Sequence, residues 1–250
     1  MEILFPVNEF ESTRRFRAKN HFDFIFGKYR VYVADDQVSL YKALQLRSRV
    51  FLQDEDRLDV DEFDVFADHI LIEDLEKKQV IGTYRMISDV FSDRFYSETE
   101  FDLGDFLQTE GVKIELGRAC IHPDYRSGRS IDLLWRGIAA YMTFLNAKYL
   151  FGCTSIFLNS KDCLATVAKI KYMQEPMYGI RPLINYPIMA SDKQEAELPG
   201  LLQSYLRAGA KVVSDPAWDK AWKCADFFTL LDVKDLDKRY QKHYFSRSYI

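Results

Sequence analysis

Arg126 and Arg129 lie on either side of Gly128 in a short polar loop, directly before a helical pattern that begins at Ser130. Gly128 tolerates a positive φ, and Ser130 is the predicted N-cap of the helix. Free N–H groups and the helix dipole point at such a loop, so it suits the binding of an anion. The alternative is an ordinary strand–helix connection with two solvated arginines.

The segment before this loop, KIELGRAC, carries Glu115 and Arg118 and alternates with a period of two. This period predicts a half-buried strand. His122-Pro123 ends the strand, because proline has no N–H group to donate to a sheet. The candidate chemistry is therefore an anion-binding loop that follows a strand with one carboxylate and one guanidinium.

Other segments must position this strand and loop. The predicted element order is β-α-β-β-β-α-β-α-α-β-β, an α/β domain with a mixed sheet. Besides the central strand, strands are predicted at residues 29–34, 69–74, 79–87, 149–156, 211–213 and 227–233. Helices are predicted at residues 38–52, 130–148, 160–173 and 194–208. Residues 1–28 form a basic and aromatic N-terminal extension, and residues 29–250 form the domain, with an irregular insertion at 174–192.

Composition excludes several classes of function. A net charge of −4 over 250 residues argues against a nucleic-acid binder. Four dispersed cysteines without a C-x-x-C pair and four histidines predict neither a disulfide framework nor a metal site. No G-x-S-x-G, P-loop or G-x-G-x-x-G motif occurs. Without a signal-peptide pattern or an apolar run near 18 residues, the protein is expected to be cytoplasmic.

The N-terminal extension predicts either a contact with an acidic surface or ordinary packing. Its basic and aromatic residues would suit the inner face of an anionic membrane, as a peripheral contact, or an acidic partner. The alternative is a packed extension with a solvated face. The residues concerned are Arg14, Arg15, Arg17, Lys19, Phe22, Phe24 and Phe26.

The strand–loop–helix order resembles the GNAT acyltransferase superfamily, in which this loop holds the phosphates of the acyl donor. The motifs LRSRVF, DVDEFD, GTYRMI and IELGRACI resemble those of the acyl-homoserine-lactone synthases. Longer stretches, among them HPDYRSGRSIDLLWRGIAAY, YLFGCTSI and DPAWDKAWKCADFFTLLDV, resemble the ornithine-lipid N-acyltransferases, often labelled hemolysin-like. The second resemblance covers residues 30–245. It implies a GNAT-type mixed, mostly antiparallel central sheet flanked by helices.

This resemblance also implies a reaction. A long, 3-hydroxylated fatty acyl group would move from acyl carrier protein to the α-amine of an amino acid, L-ornithine, giving lyso-ornithine lipid. No tightly bound cofactor is expected, and the donor is the phosphopantetheine thioester of the carrier protein. The alternatives are another amino-acid acceptor, an acyl-homoserine-lactone signal synthase or, outside enzymes, a membrane-acting hemolysin-like protein.

The expected donor site departs from that of coenzyme A-dependent GNAT enzymes. Arg129 and Ile131 stand where the coenzyme A-binding signature has glycines, and their side chains would crowd a nucleotide pyrophosphate. A single phosphate on a phosphopantetheine arm needs less room and pairs well with arginine. The expected donor-binding residues are Arg126, Gly128, Arg129 and Ser130.

Amide formation needs a neutral amine, so a proton acceptor helps the reaction. Glu115 is the candidate base, and Arg118 is assigned to the catalytic site with it. The alternative is a structural ion pair between the two, although residues at i and i+3 of a regular strand lie on opposite faces unless a bulge intervenes. The expected acceptor-binding residues are arginines for the carboxylate and aspartates for a cationic side chain: Arg47, Arg85, Asp61 and Asp64. Each also has a purely structural interpretation.

Overall fold

The computed structural model describes Thr13 and residues 16–54, 56–159, 162–187 and 196–246. They form two compact units. The first comprises the residues up to Asp93, Leu116–Asn146 and those from Lys242 onwards; the second comprises Arg94–Glu115 and Ala147–Gln241. The division at residue 28 expected from the sequence stays a prediction.

The elements alternate along the chain as an α/β protein requires. The strands are β1 (Asp23–Phe26), β2 (Tyr29–Val33), β3 (Asp68–Asp74), β4 (Gln79–Ser88), β5 (Phe101–Asp102), β6 (Lys113–Ile121), β7 (Tyr149–Phe157), β8 (Arg181–Pro182), β9 (Lys211–Val212), β10 (Ala217–Asp219) and β11 (Cys224–Asp232). The helices are α1 (Gln37–Arg47), α2 (Gly128–Leu145), α3 (Cys163–Tyr172), α4 (Gly200–Ala208) and the short α5 (Lys238–Tyr240). A π-helix, Ser48–Leu52, continues α1.

In the first unit, β1, β2, β3 and β4 pair antiparallel in that order, and β4 is hydrogen-bonded to β6. Helix α2 packs against β2 and β3. A Cβ atom on Gly137 would lie 2.8 Å from Ile70 Cγ2 and 3.3 Å from Val31 Cγ1, so glycine permits this close approach. Helix α2, which follows the loop predicted to bind an anion, is thereby fixed on the sheet.

In the second unit, the first residues of β6 pair in parallel with β7, with Lys113 opposite Tyr149 and Glu115 opposite Phe151. The registered pairs end there, whereas β6 continues to Ile121 and β7 to Phe157. Strand β11 pairs antiparallel with β7 on one side and with β10 on the other. Stacked and edge-on phenylalanines, Phe106, Phe151 and Phe228 among them, fill the core under these strands. The expected mixed, mostly antiparallel sheet flanked by helices is confirmed.

Several local predictions were wrong. The N-cap of α2 is Ser127 rather than Ser130, and Gly128 is its first residue without a positive φ. Residues 196–199 are not helical, so α4 begins at Gly200 rather than at 194; Pro199 explains this, because the residue before a proline avoids helical geometry. Strands β1 and β10 were not predicted. Both faces of β6 are buried from Lys113 to Leu116, so this end is not half-buried.

The N-terminal basic and aromatic cluster lies only partly within the described residues, because Arg14 and Arg15 fall outside them. Lys19 Nζ donates to the carbonyl of Val65, and Phe24 stacks on Phe22 and contacts Phe26 edge-on. These phenylalanines lie in or next to β1. No helix in the described part of the chain is long and apolar enough to cross a membrane.

Candidate active site

A network of largely buried charges in the first unit contains all four acceptor-binding residues expected from the sequence. Its cations come from the end of α1, from β4 and from β6, and its anions all come from the acidic segment between α1 and β3. The network consists of Arg47, Asp59, Asp61, Asp64, Arg85 and Arg118. Three arginines therefore face three aspartates.

Arg47 and Asp64 form the centre of the network. The guanidinium of Arg47 donates to Asp64 Oδ1 at 2.6 Å and Oδ2 at 3.1 Å, and its Nε donates to Asp59 Oδ2 at 2.9 Å. Burial alone would lower the pKa of Arg47 and raise that of Asp64, but the opposite charges outweigh burial in both. Asp64 is thus an anion and Arg47 a cation inside the protein.

Arg85 and Arg118 extend the network to its exposed end. Arg85 Nη1 donates to Asp61 Oδ1 at 2.6 Å and to Asp64 Oδ1 at 3.1 Å. Arg118 Nη2 donates to Asp61 Oδ2 at 3.2 Å. The side chains of Arg118 and Asp61 are 15% and 24% exposed, whereas those of Arg85 and Asp64 are 1% and 0% exposed. Asp61 and Arg118 are therefore the most accessible members of the network.

The backbone conformation helps to place Asp61 and Arg118, the two partly exposed members of the network. Asp61 is the N-cap of a 3₁₀ turn, Glu62–Val65, and accepts from Phe63 N, while Asp64 accepts from Asp61 N. Arg118 has a φ of +49°, a left-handed conformation within β6, and its guanidinium donates to Asp61.

The loop that the sequence predicts to bind an anion is exposed. Arg126, Gly128 and Arg129 are all exposed at the start of α2. A Cβ atom on Gly128 would meet nothing within 4 Å. Ser130 differs, because it is buried and its hydroxyl donates to the carbonyl of Tyr125. Of the expected donor-binding side chains, those of the two arginines are accessible and that of Ser130 is engaged in the fold.

Glu115 lies in the second unit, where it is 2% exposed. Its Oε2 accepts from Tyr96 N at 2.6 Å, and its Oε1 accepts from Ser97 N at 2.7 Å and from the Ser97 hydroxyl. A carboxylate offers about four lone-pair positions. Since these contacts occupy most of them, Glu115 has little capacity left for a substrate proton and fixes the 3₁₀ turn Tyr96–Thr99 to β6.

Comparisons with known proteins show which enzymes this chain is similar to. Residues 28–136 match the family model of the acetyltransferase (GNAT) domain. An L-ornithine Nα-acyltransferase of Brucella abortus is 28% identical over 87% of this chain and 89% of its own length. The enzyme of the same name from Rhizobium meliloti is 29% identical over 87% of this chain and 78% of its own. The chain is an acyltransferase with a GNAT-like fold. The resemblance read from the sequence is confirmed.

Solved structures agree with this acyltransferase in fold. The acyl-homoserine-lactone synthase LasI superimposes with a TM-score of 0.53 at 13% identity, over 87% of this chain and 95% of its own. FeeM, an N-acyl amino acid synthase from uncultured soil microbes, gives a TM-score of 0.54 at 10% identity, over 89% and 98% of the two chains. At such identities the likeness concerns the fold alone.

The structure also places residues at these sites that the sequence did not single out. Asp59 was one of many acids in its segment, and no spacing marked it as the partner of Arg47. Ser97 lies in a segment, residues 88–111, predicted only as loop with a short helix. No periodic pattern could have identified it, because its contacts to β6 and β7 join residues far apart in the sequence.

Proposed function

We propose that this acyltransferase moves a long, 3-hydroxylated fatty acyl group from acyl carrier protein to the α-amine of L-ornithine, giving lyso-ornithine lipid. The observation that carries the proposal is the similarity, over 87% of the chain, to proteins named L-ornithine Nα-acyltransferase. The exposed ends of the charge network fit an amino acid with a cationic side chain. Arg118 would pair with its carboxylate, and Asp61 with its ammonium group.

Within this proposal, the buried members of the network hold the exposed ones. Arg47 and Asp64 fix each other by two hydrogen bonds, and Arg85 links Asp64 to Asp61. A rearrangement that freed Arg47 or Arg85 for a substrate would leave Asp64 uncompensated in the interior, which is costly. Their contribution to acceptor binding is therefore to orient Asp61 and Arg118.

The proposed donor is acyl carrier protein, because the start of α2 suits one phosphate better than a nucleotide. The first backbone N–H groups of a helix have no carbonyl acceptor one turn earlier in the helix. Arg126 and Arg129 lie on either side of the first of these groups in α2. The side chains of Arg129 and Ile131 would crowd a nucleotide pyrophosphate. A peripheral contact with the membrane would suit an enzyme with an amphiphilic product, and it stays part of the proposal.

Replacing Arg129 by alanine should raise the KM for acyl carrier protein by roughly 5-fold, the value of one exposed charge-assisted contact. The effect should shrink as salt rises, because exposed charges are screened. The measurement is initial rate against carrier-protein concentration with L-ornithine in excess. Arg207→Ala, an exposed arginine on α4, is the matched control and should leave KM unchanged. Equal turnover of acyl-coenzyme A and acyl carrier protein by the wild type would contradict the donor assignment.

A further inference from the structure

The turn that joins β3 to β4 lies against the loop that precedes α2. The turn comprises residues 75–78, and Lys77 Nζ is 5.1 Å from the centre of the Tyr125 ring in the loop. The Tyr125 hydroxyl donates to Asp74 Oδ2, at the end of β3, at 3.1 Å. Turn and loop both belong to the first unit, so these contacts are made within one compact body.

Hydrogen bonds fix the conformation of both segments. In the turn, Asp74 Oδ1 accepts from the backbone N–H groups of Glu76 and Lys77 at 3.0 Å and 3.2 Å. In the loop, the Ser130 hydroxyl donates to the backbone carbonyl of Tyr125. The charged side chains of turn and loop are therefore carried by a backbone of defined shape.

The charged residues of these segments, with Lys28 beside them, form a surface that we call the hairpin–loop surface. It is cationic, although the chain carries a net charge of −4. Lys28 Nζ lies 3.2 Å from Asp74 Oδ2 and 3.0 Å from Glu76 Oε2, so one cation serves both acids of the turn. Asp124 is the remaining acid of the surface, and it stands against four exposed cations, Lys77, Lys78, Arg126 and Arg129.

The chemistry of the proposed donor indicates what this surface would meet. Phosphopantetheine is joined to its carrier protein through a phosphate ester, so a carrier whose phosphate lies at Arg126 and Arg129 must rest on the residues around them. Opposite charges across an interface speed association and orient the partners. The hairpin–loop surface therefore suits a carrier protein with acidic side chains next to the attachment site.

An anionic membrane would attract the same cations, but it would also favour exposed aromatic and aliphatic side chains among them. In the two described segments, Leu75 is the only large apolar side chain that is exposed, at 37%. The Tyr125 ring has the Lys77 ammonium group over it. The composition of the hairpin–loop surface thus favours a protein partner over a lipid one.

We infer that acyl carrier protein docks on the hairpin–loop surface, with Lys77 and Lys78 contacting acidic side chains of the carrier itself rather than its phosphopantetheine arm. This inference rests on the proposed function, for which it names the docking surface of the donor. It adds the β3–β4 turn to the two arginines expected from the sequence. Because these contacts lie away from the reacting atoms, they act on carrier binding and not on the chemical step.

The test is the binding of fluorescently labelled apo and holo carrier protein to the full-length enzyme, followed by fluorescence anisotropy. The double variant Lys77→Glu/Lys78→Glu should raise Kd by about 10-fold for both forms, because two exposed attractions become repulsions. The apo form has no phosphopantetheine, so its weaker binding cannot come from the phosphate. Lys78→Glu alone should raise Kd by about 3-fold. Both effects should shrink as salt rises.

Turnover gives a second measurement. In the double variant, the KM for acyl carrier protein should rise by a similar factor, while kcat and the KM for L-ornithine stay as in the wild type. Lys220→Glu/Lys223→Glu is the matched control, with the same change in net charge. Both lysines are exposed in the turn between β10 and β11, and Lys223 has the same φ of +52° as Lys78. The control should leave Kd and KM unchanged, and circular dichroism checks that each variant is folded.

Equal Kd values for the wild type and the double variant would overturn the inference. So would an effect confined to the holo form, an equal effect in the control, or a double variant that binds the carrier normally but no longer binds phosphatidylglycerol vesicles. The proposed function is tested separately. If the wild type binds the carrier through these lysines but acylates no ornithine, the docking surface stands and the acceptor assignment falls. A wild type that binds neither form of the carrier overturns both the docking surface and the donor assignment.

Discussion

Asp64→Ala is expected to lower the free energy of unfolding by about 3–5 kcal/mol, which would leave little folded protein. The physical reason is that Arg47 and Arg85 are 0% and 1% exposed and both donate to Asp64. Removal of the carboxylate would leave their charges without full compensation in the interior. Urea denaturation followed by tryptophan fluorescence measures the change.

Two variants make this prediction specific to the buried network. Asp124→Ala removes an aspartate whose side chain is 82% exposed and should change stability by less than about 0.5 kcal/mol. Asp61→Ala, at the partly exposed end, should lie between the two. If Asp64→Ala were as stable as Asp124→Ala, Asp64 would not be the centre of the network.

Glu115→Gln is expected to reduce kcat by about 10²-fold through misplacement of the turn that it holds. The amide would place an NH₂ group against the N–H groups of Tyr96 or Ser97, which now donate to the carboxylate. Because the defect is one of position, the deficit should be the same at every pH. The measurement is a pH–rate profile of purified protein, with Glu110→Gln, an exposed glutamate of the same unit, as control.

The same profile tests whether Glu115 is the base expected from the sequence. If Glu115 itself takes the proton, the deficit of Glu115→Gln should narrow at high pH, because the amine then loses its proton unaided. That outcome would contradict the positioning role of Glu115. A loss of stability of about 1–3 kcal/mol should accompany Glu115→Gln in either case, because buried donors lose their acceptor.

The sequence predicted those features that depend on local patterns. The positions of β3, β4 and β6 followed from the period of two, and the helix predicted at residues 38–52 corresponds to α1 together with the π-helix that continues it. The start of α2 was misplaced by a few residues, because Ser127 and Ser130 are equally suitable caps by residue type and only the backbone of Ser127 is extended.

The candidate sites depend on contacts that no local pattern encodes. The motifs named five members of the charge network, but not that Arg47 and Arg85 would be buried while Arg118 remained accessible. The left-handed φ of Arg118, which a non-glycine residue rarely adopts, is likewise a feature that the sequence gives no reason to expect.

The central claim is that the chain forms an amide between a fatty acyl group and the α-amine of ornithine. Mass spectrometry of lipids from cells that express the chain and are fed ¹⁵N-labelled ornithine tests it directly. We expect a new lipid containing both ornithine nitrogens and a 3-hydroxy acyl group, with fragmentation that places the acyl group on the α-nitrogen, and its absence from cells that carry the empty vector. Label-free N-acyl products of another amino acid, acyl-homoserine lactone, or no new acylated amine would contradict the account.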